Sequence, residues 1–224
     1  MVQRLSTSLD LRCYLVTSGT SRRTVEIAAD AAAAGVGVVQ VRAKQATTRQ
    51  LLDLTIAVAD AVHAVAPATR VLVDDRTDVA HAARLHGAPV HGVHLGTDDL
   101  PAEAARAMLG DEAVIGLTTG TVELARWAQQ QQEWIDYIGA GPFRRTPTKD
   151  SGRDPLGVEG YPPIVAATSL PVVAIGDITP ADVPALMSAG VAGVALVRSI
   201  MDADDPAAVV RDVLSGCPTP RRVY

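Results

Sequence analysis

Lysine is rare in this chain, and its two occurrences are the first residues to weigh. Of 20 Lys and Arg residues only Lys44 and Lys149 are lysines, and the rest are arginines. A lysine kept in so arginine-rich a chain marks a place where a compact ammonium with three rotatable donors serves and a wide planar guanidinium does not. Chance retention is the plainer account. Lys149 closes the stretch Ile138-Gly139-Ala140-Gly141-Pro142-Phe143-Arg144-Arg145-Thr146-Pro147-Thr148-Lys149. Glycines there let backbone N–H groups approach a ligand closely. Threonine hydroxyls and a lysine suit phosphate oxygens. The polar run continues to about Gly157, and loops of that length in compact proteins are usually functional. A solvated loop with no ligand is the alternative.

The other polar candidates also sit where an apolar run ends. Gln40, Arg42 and Lys44 alternate, so in an extended strand they share one face. Asp74 and Asp75 follow Val71-Leu72-Val73, and Asp99 follows His94-Leu95-Gly96. Two carboxylates from adjacent loops, Asp75 and Asp99, suit Mg²⁺, which takes one or two carboxylates and fills its shell with water and substrate phosphate. Each alone reads equally as a helix N-cap, and Arg42 with Asp75 reads as a structural ion pair. Thr118, Gly176-Asp177 and Val197-Arg198 end three further runs. His94 lies inside a strand run and reads as a packed core residue. The five histidines and two cysteines show no metal-ligand spacing, and no Ser/His/Asp arrangement is apparent.

What must position these groups follows from the periodicity. Short apolar runs at 13–17, 36–41, 71–73, 90–95, 114–117, 136–139, 171–175 and 193–197 alternate with helical patterns. The helices open at Thr20 or Ser21, Thr47 or Thr48, Thr77, Pro101, about Val122, about Val158, Thr179-Pro180 and about Asp205-Pro206, and several stop at a glycine. Strand and helix in alternation imply parallel strands. Eight such units imply an α/β fold of the (β/α)8 TIM-barrel kind, one domain over 1–224 with an N-terminal arm at 1–11 and an irregular tail at 216–224. An open doubly wound sheet is the second choice. In a barrel the active site lies at the C-terminal ends of the strands, where all these polar groups fall. The loops after strands seven and eight commonly form a phosphate cup there.

Composition agrees. Hydrophobic residues make up 48% and aromatics 3%, so the core is built from Val, Ile, Leu and Ala, as suits helices on a parallel sheet. The formal net charge of −5 leaves no electrostatic footprint for nucleic acid. No run of 18 apolar residues and no signal-peptide pattern is present, so a membrane is not expected as a partner. Two distant cysteines fit a reduced, cytoplasmic setting. A homo-oligomer is compatible with all of this.

Four motifs together resemble the thiamine phosphate synthase family: Val39-Gln40-Val41-Arg42-Ala43-Lys44, Asp75-Arg76-x-Asp78-Val79-Ala80, His94-Leu95-Gly96-x-x-Asp99-Leu100, and Gly141-Pro142-x-x-x-Thr146-x-Thr148-Lys149. The likeness spans nearly the whole chain, from Tyr14 to Pro206. It implies a transferase that joins a hydroxymethylpyrimidine diphosphate to a thiazole phosphate, through loss of pyrophosphate and attack of the thiazole nitrogen on the methylene carbon. It implies that Gln40, Arg42, Lys44, Asp74, Thr118 and Lys149 hold the pyrimidine diphosphate. Lys149, Arg42, Lys44 and Thr118 would act in catalysis. Asp75 and Asp99 would hold Mg²⁺. Thr146, Pro147 and Thr148, with Gly176, Asp177, Val197 and Arg198, would hold the thiazole phosphate.

Five positions depart from the family pattern: Asp74 for Asn, Thr97 for Gln, Gly120 for His, Thr118 for Ser, and Asp177 for the second Gly of a pair. A carboxylate at 177 facing inward would repel a phosphate, whereas one facing outward would leave only its N–H at the site. A thiazole tautomerase relative and a non-catalytic phosphate-binding barrel are the alternatives. Gly120 and Asp99 count against the tautomerase.

Overall fold

Buried parallel strands read as near-continuous apolar runs because both their faces are covered. In the computed structural model, which describes residues 9–145 and 154–218, each of the eight runs is a strand. They are β1 (Cys13–Val16), β2 (Val38–Val41), β3 (Arg70–Asp74), β4 (Gly92–Leu95), β5 (Val114–Thr119), β6 (Tyr137–Ala140), β7 (Val172–Ile175) and β8 (Gly193–Leu196). They pair in parallel in chain order, and β8 closes on β1 with Tyr14 opposite Ala195. The fold is the (β/α)8 barrel expected from the alternation.

Strand parity splits the core in two. Leu15, Val39, Val73, Val93, Ile115 and Ile138 point outward and pack beneath the helices. Tyr14, Val16, Val38, Leu72, Tyr137, Val173 and Ala195 fill the barrel itself. Two of the chain's few aromatic rings therefore occupy its axis. Gly116 makes room for one of them, since a Cβ there would lie 2.2 Å from Tyr137 Cζ.

The outer layer holds α1 (Arg22–Ala33), α2 (Thr48–Val65), α3 (Thr77–Leu85), α4 (Ala102–Leu109), α5 (Val122–Gln129), α6 (Tyr161–Ala166), α7 (Val183–Ser188), α8 (Arg198–Met201) and α9 (Pro206–Ser215). Thr47 and Gln50 form a reciprocal capping box on α2, and Thr121 and Asp205 cap α5 and α9. Such caps satisfy the first free N–H groups of a helix.

Three local expectations need correction. Pro101 is the N-cap of α4 and not its first residue. The helix expected from 158 to 168 covers only 161–166, behind a turn that hydrogen-bonds Gly160 N–H to Leu156 O. The helix expected from Thr179 begins as a 3-10 turn, Pro180–Asp182, before α7. The four-residue α8 directly follows β8, where a short helix N-terminus belongs to the expected cup, although one helical turn carries no periodic signal of its own.

Candidate active site

The C-terminal strand ends surround one cavity of about 510 Å³. It brings together Gln40, Arg42, Lys44, Asp74, Asp75, Asp99 and Thr118 on one side, and Gly176, Asp177, Val197 and Arg198 on the other. Thr146, Pro147, Thr148 and Lys149 lie outside the described residues.

The β2–β3 side is a knot of opposite charges. Gln40 and Asp74 project into the barrel mouth, and Gln40 Nε2 donates to Asp74 Oδ1 at 2.5 Å. Arg42 Nε lies 3.3 Å from Asp74 Oδ2, and Lys44 Nζ lies 3.6 Å from the same oxygen. Lys44 also donates to Asp75. The structural pair read from the sequence, Arg42 with Asp75, is therefore corrected: Arg42 pairs with Asp74, and Lys44 bridges Asp74 and Asp75.

Asp74 shows the crowding most clearly. Burial and then the Asp75 charge raise its carboxyl to about 6, against the pull of Lys44, Arg42 and the Gln40 amide. Desolvation works against the Lys44 ammonium, but the hydrogen bond to Asp75 and the two aspartate charges outweigh it and hold its pKa above the ordinary value.

Asp75 has a left-handed backbone, φ 60, a conformation few residues other than glycine adopt and one that clusters at functional sites. Its N–H donates to His94 O at 2.8 Å. Across the β3–β4 rim, Asp99 Oδ2 accepts the Gly96 N–H at 2.6 Å. Burial raises the Asp99 carboxyl, the Gly96 bond opposes this, and the neighbouring Asp75 carboxylate raises it further. Two carboxylates crowding each other at a cavity rim are relieved by a shared cation. Among the described residues no three His, Cys, Asp or Glu gather as a closed metal cage. A two-carboxylate rim is the arrangement Mg²⁺ accepts when water and phosphate complete its shell.

The β7–β8 side is built from backbone. Gly176 has φ 116, and a Cβ there would lie 2.6 Å from Phe143 N. This close approach lets the segment after β6 lie along the segment after β7, with Phe143 N–H on Ile175 O at 2.8 Å and Arg144 N–H on Gly176 O at 3.0 Å. Arg144 stacks over Phe143 and holds both Asp182 and the Asp177 carbonyl. Asp177 takes φ 57. Its carboxylate is bound by Arg198. Of the two orientations open from the sequence, the structure thus offers a third outcome, a carboxylate neutralised at the rim.

Among the cavity residues that sequence reasoning missed, three ring side chains stand out. His94, read as core, is only half-buried and lines it, with Nε2 2.9 Å from Thr118 Oγ1 and Nδ1 2.9 Å from the Tyr137 hydroxyl. Tyr14 and Tyr137 line its floor. The available signal was parity: both are polar-tipped side chains at inward strand positions.

Comparison with known proteins points one way. The chain is 56% identical to the thiamine-phosphate synthase of Corynebacterium jeikeium over 211 residues, 94% of this chain and 96% of that one. It is 36% identical to the thiamine-phosphate synthase of Moorella thermoacetica over 203 residues, 90% and 92% of the two chains. Among solved structures, thiamine phosphate pyrophosphorylase from Pyrococcus furiosus superposes with a TM-score of 0.77 at 28% identity, over 93% of this chain and 96% of that one. The 3-hexulose-6-phosphate synthase of Salmonella typhimurium, at TM-score 0.68 and 14% identity over 92% and 98%, shows the fold alone. Residues 13–200 match the family model described as thiamine monophosphate synthase, and the chain belongs to that family.

Proposed function

We propose that this chain makes thiamine phosphate and pyrophosphate from hydroxymethylpyrimidine diphosphate and thiazole phosphate. The observation that carries the reading is the two-sided cavity: a charged half on β2–β5 faces a backbone half on β7–β8 across a single space. Two phosphorylated partners need two anion sites within reach of one carbon.

The roles divide accordingly. Arg42 and Lys44 neutralise the diphosphate of the pyrimidine partner, with Lys149 assigned beside them by the family resemblance. Gln40, Asp74 and Thr118 orient its ring. Asp75 and Asp99 hold Mg²⁺, which when bound stabilises charge on the departing pyrophosphate. Gly176, Asp177, Val197 and Arg198, with Thr146, Pro147 and Thr148, receive the thiazole phosphate. The bond from methylene carbon to diphosphate oxygen breaks with its electron pair leaving on pyrophosphate. The thiazole nitrogen lone pair then forms the new carbon–nitrogen bond. No protein nucleophile enters this scheme. What the protein supplies is charge at the leaving group and proximity of the two partners.

Purified protein, Mg²⁺ and both substrates are expected to yield thiamine phosphate and pyrophosphate in equal amounts over many turnovers, with EDTA abolishing both. Binding of both substrates with no pyrophosphate release would replace this reading with the non-catalytic barrel. Among the described residues no helix is long and apolar enough to cross a membrane, and a soluble biosynthetic enzyme acting in the cytoplasm on small molecules fits the family.

A further inference from the structure

Six side chains form an unbroken hydrogen-bonded chain across the barrel mouth. Gln40 Nε2 reaches Asp74 Oδ1 at 2.5 Å, and the Tyr14 hydroxyl reaches Gln40 Oε1 at 2.7 Å. The Tyr14 and Tyr137 hydroxyls lie 2.8 Å apart. The Tyr137 hydroxyl lies 2.9 Å from His94 Nδ1, and His94 Nε2 lies 2.9 Å from Thr118 Oγ1. All six residues line the cavity.

Counting protons gives the chain one direction. Gln40 Nε2 faces Asp74 Oδ1 and Gln40 Oε1 faces the Tyr14 hydroxyl, and an amide nitrogen only donates. An amide oxygen only accepts, so the single Tyr14 proton goes to Gln40. None is left for the contact with Tyr137, so Tyr137 donates to Tyr14. With that proton committed, His94 must donate to Tyr137 from Nδ1. A neutral imidazole with Nδ1–H carries its lone pair on Nε2, so the Thr118 hydroxyl donates there. Burial pushes both tyrosine pKa values up, which keeps both phenols protonated.

We infer that Tyr14 and Tyr137 are positioning residues which, through this chain, hold His94 in its Nδ1–H tautomer and present the Thr118 oxygen to the substrate as a hydrogen-bond acceptor. Thr118 then meets an N–H donor, such as the exocyclic amine of an aminopyrimidine, and not a phosphate oxygen. The inference rests on the synthase reading for the identity of that substrate.

The test is a long-range ¹H–¹⁵N spectrum of the full chain labelled in histidine, without ligand at pH 8, with His94 assigned by His94→Gln. The expected result is a neutral His94 protonated on Nδ1, with Tyr137→Phe moving the proton toward Nε2. A wild-type His94 protonated on Nε2, or charged at that pH, would overturn the inference. Should Tyr137→Phe fail to fold, the wild-type spectrum still decides the tautomer, and Tyr14→Phe breaks the next link. In steady state, Tyr137→Phe should raise the KM for pyrimidine diphosphate about fivefold, the worth of one hydrogen bond, with kcat little changed. A lowered kcat at unchanged KM would mean a merely structural role and count against it. Absence of any thiamine phosphate in wild type would overturn the synthase reading separately, leaving the His94 spectrum to decide the chain of bonds.

Discussion

The two ends of the barrel treat charge in opposite ways. At the N-terminal end, two arginines bind mainly backbone. Arg106, 6% exposed, donates to Asp111 O at 3.0 Å, Trp134 O at 2.9 Å and Asp136 Oδ2 at 2.9 Å, and also to Ala113 O. Arg84 donates to Val90, His91 and Leu109 carbonyls at 2.6–2.7 Å. These carbonyls lie in segments that lead into β4, β5 and β6. At the C-terminal end, Arg42, Lys44, Asp74 and Asp75 bind mainly one another. Asp74 is raised to about 6 there, and both left-handed aspartates lie at this end. One end spends its charges on holding the chain. The other keeps them crowded and ready to exchange partners for a ligand. In these barrels the first pattern serves stability and the second chemistry.

The sharpest way to break that division is Arg106→Leu. It takes the Arg106 donors away from the Asp111, Ala113 and Trp134 carbonyls and from Asp136, whose carboxylate keeps only the Ile115 N–H among the bonds named. Removing one member of a buried, hydrogen-bonded ion pair costs about 3–5 kcal/mol. Urea unfolding should show a loss of that size, while KM values of the remaining folded enzyme stay at the wild-type level. A shift in KM larger than the shift in stability would mean the two ends are coupled.

The mirror experiment is Asp75→Asn. Asparagine also tolerates φ 60, so the backbone stays relaxed and only the charge is lost. The expected fall in kcat/KM is about a hundredfold or more, as for a group that holds a catalytic cation. The urea midpoint should barely move. Full activity in this variant would remove Asp75 from the proposed site.

A smaller effect separates the ends by pH. At the N-terminal end His91 is held down to about 4 by burial, then by Arg70 and Arg84, and its Nδ1 accepts the Val71 N–H at 3.0 Å. The unfolded chain takes up a proton near pH 6.5 that the folded chain refuses until about pH 4. The His91 contribution is therefore complete above pH 6.5 and lost as pH falls toward 4. Its size is about 1–2 kcal/mol after allowance for partial exposure. Unfolding free energies at pH 7.5 and 4.5 should differ by that much more in wild type than in His91→Gln, which cannot titrate.

This division was only half legible in the sequence. The strands were plain because runs such as Gly193–Leu196, buried on both faces, are apolar throughout. The C-terminal rim was plain because Lys44, Asp75 and Asp99 interrupt such runs where no core side chain is needed. Arg84 and Arg106 were invisible: an arginine on a helix reads as solvated until the carbonyls it reaches are known. The Tyr14–Tyr137 contact joins residues 123 positions apart, and no local period encodes a pairing across the barrel axis. For His94 the strand context was read correctly, but parity alone does not say how deep into the mouth a residue sits.

The subtlest departure from the division is Asp177, a carboxylate paired with Arg198 on the half that is otherwise mostly backbone. It costs twice, through a left-handed backbone at φ 57 and through its hold on the Arg198 guanidinium. Asp177→Gly removes both. Glycine occupies positive φ without the steric penalty of a Cβ, so stability should rise, by less than about 1 kcal/mol because the glycine also loosens the unfolded chain. Arg198, released from its partner, becomes available to an anion. The KM for thiazole phosphate should then fall a few-fold while that for pyrimidine diphosphate stays put. If instead the thiazole phosphate KM rises, the Asp177–Arg198 pair is itself part of the cup, with the carboxylate aiming the guanidinium at the phosphate. The charged and backbone halves would then differ in how much charge they carry and not in kind.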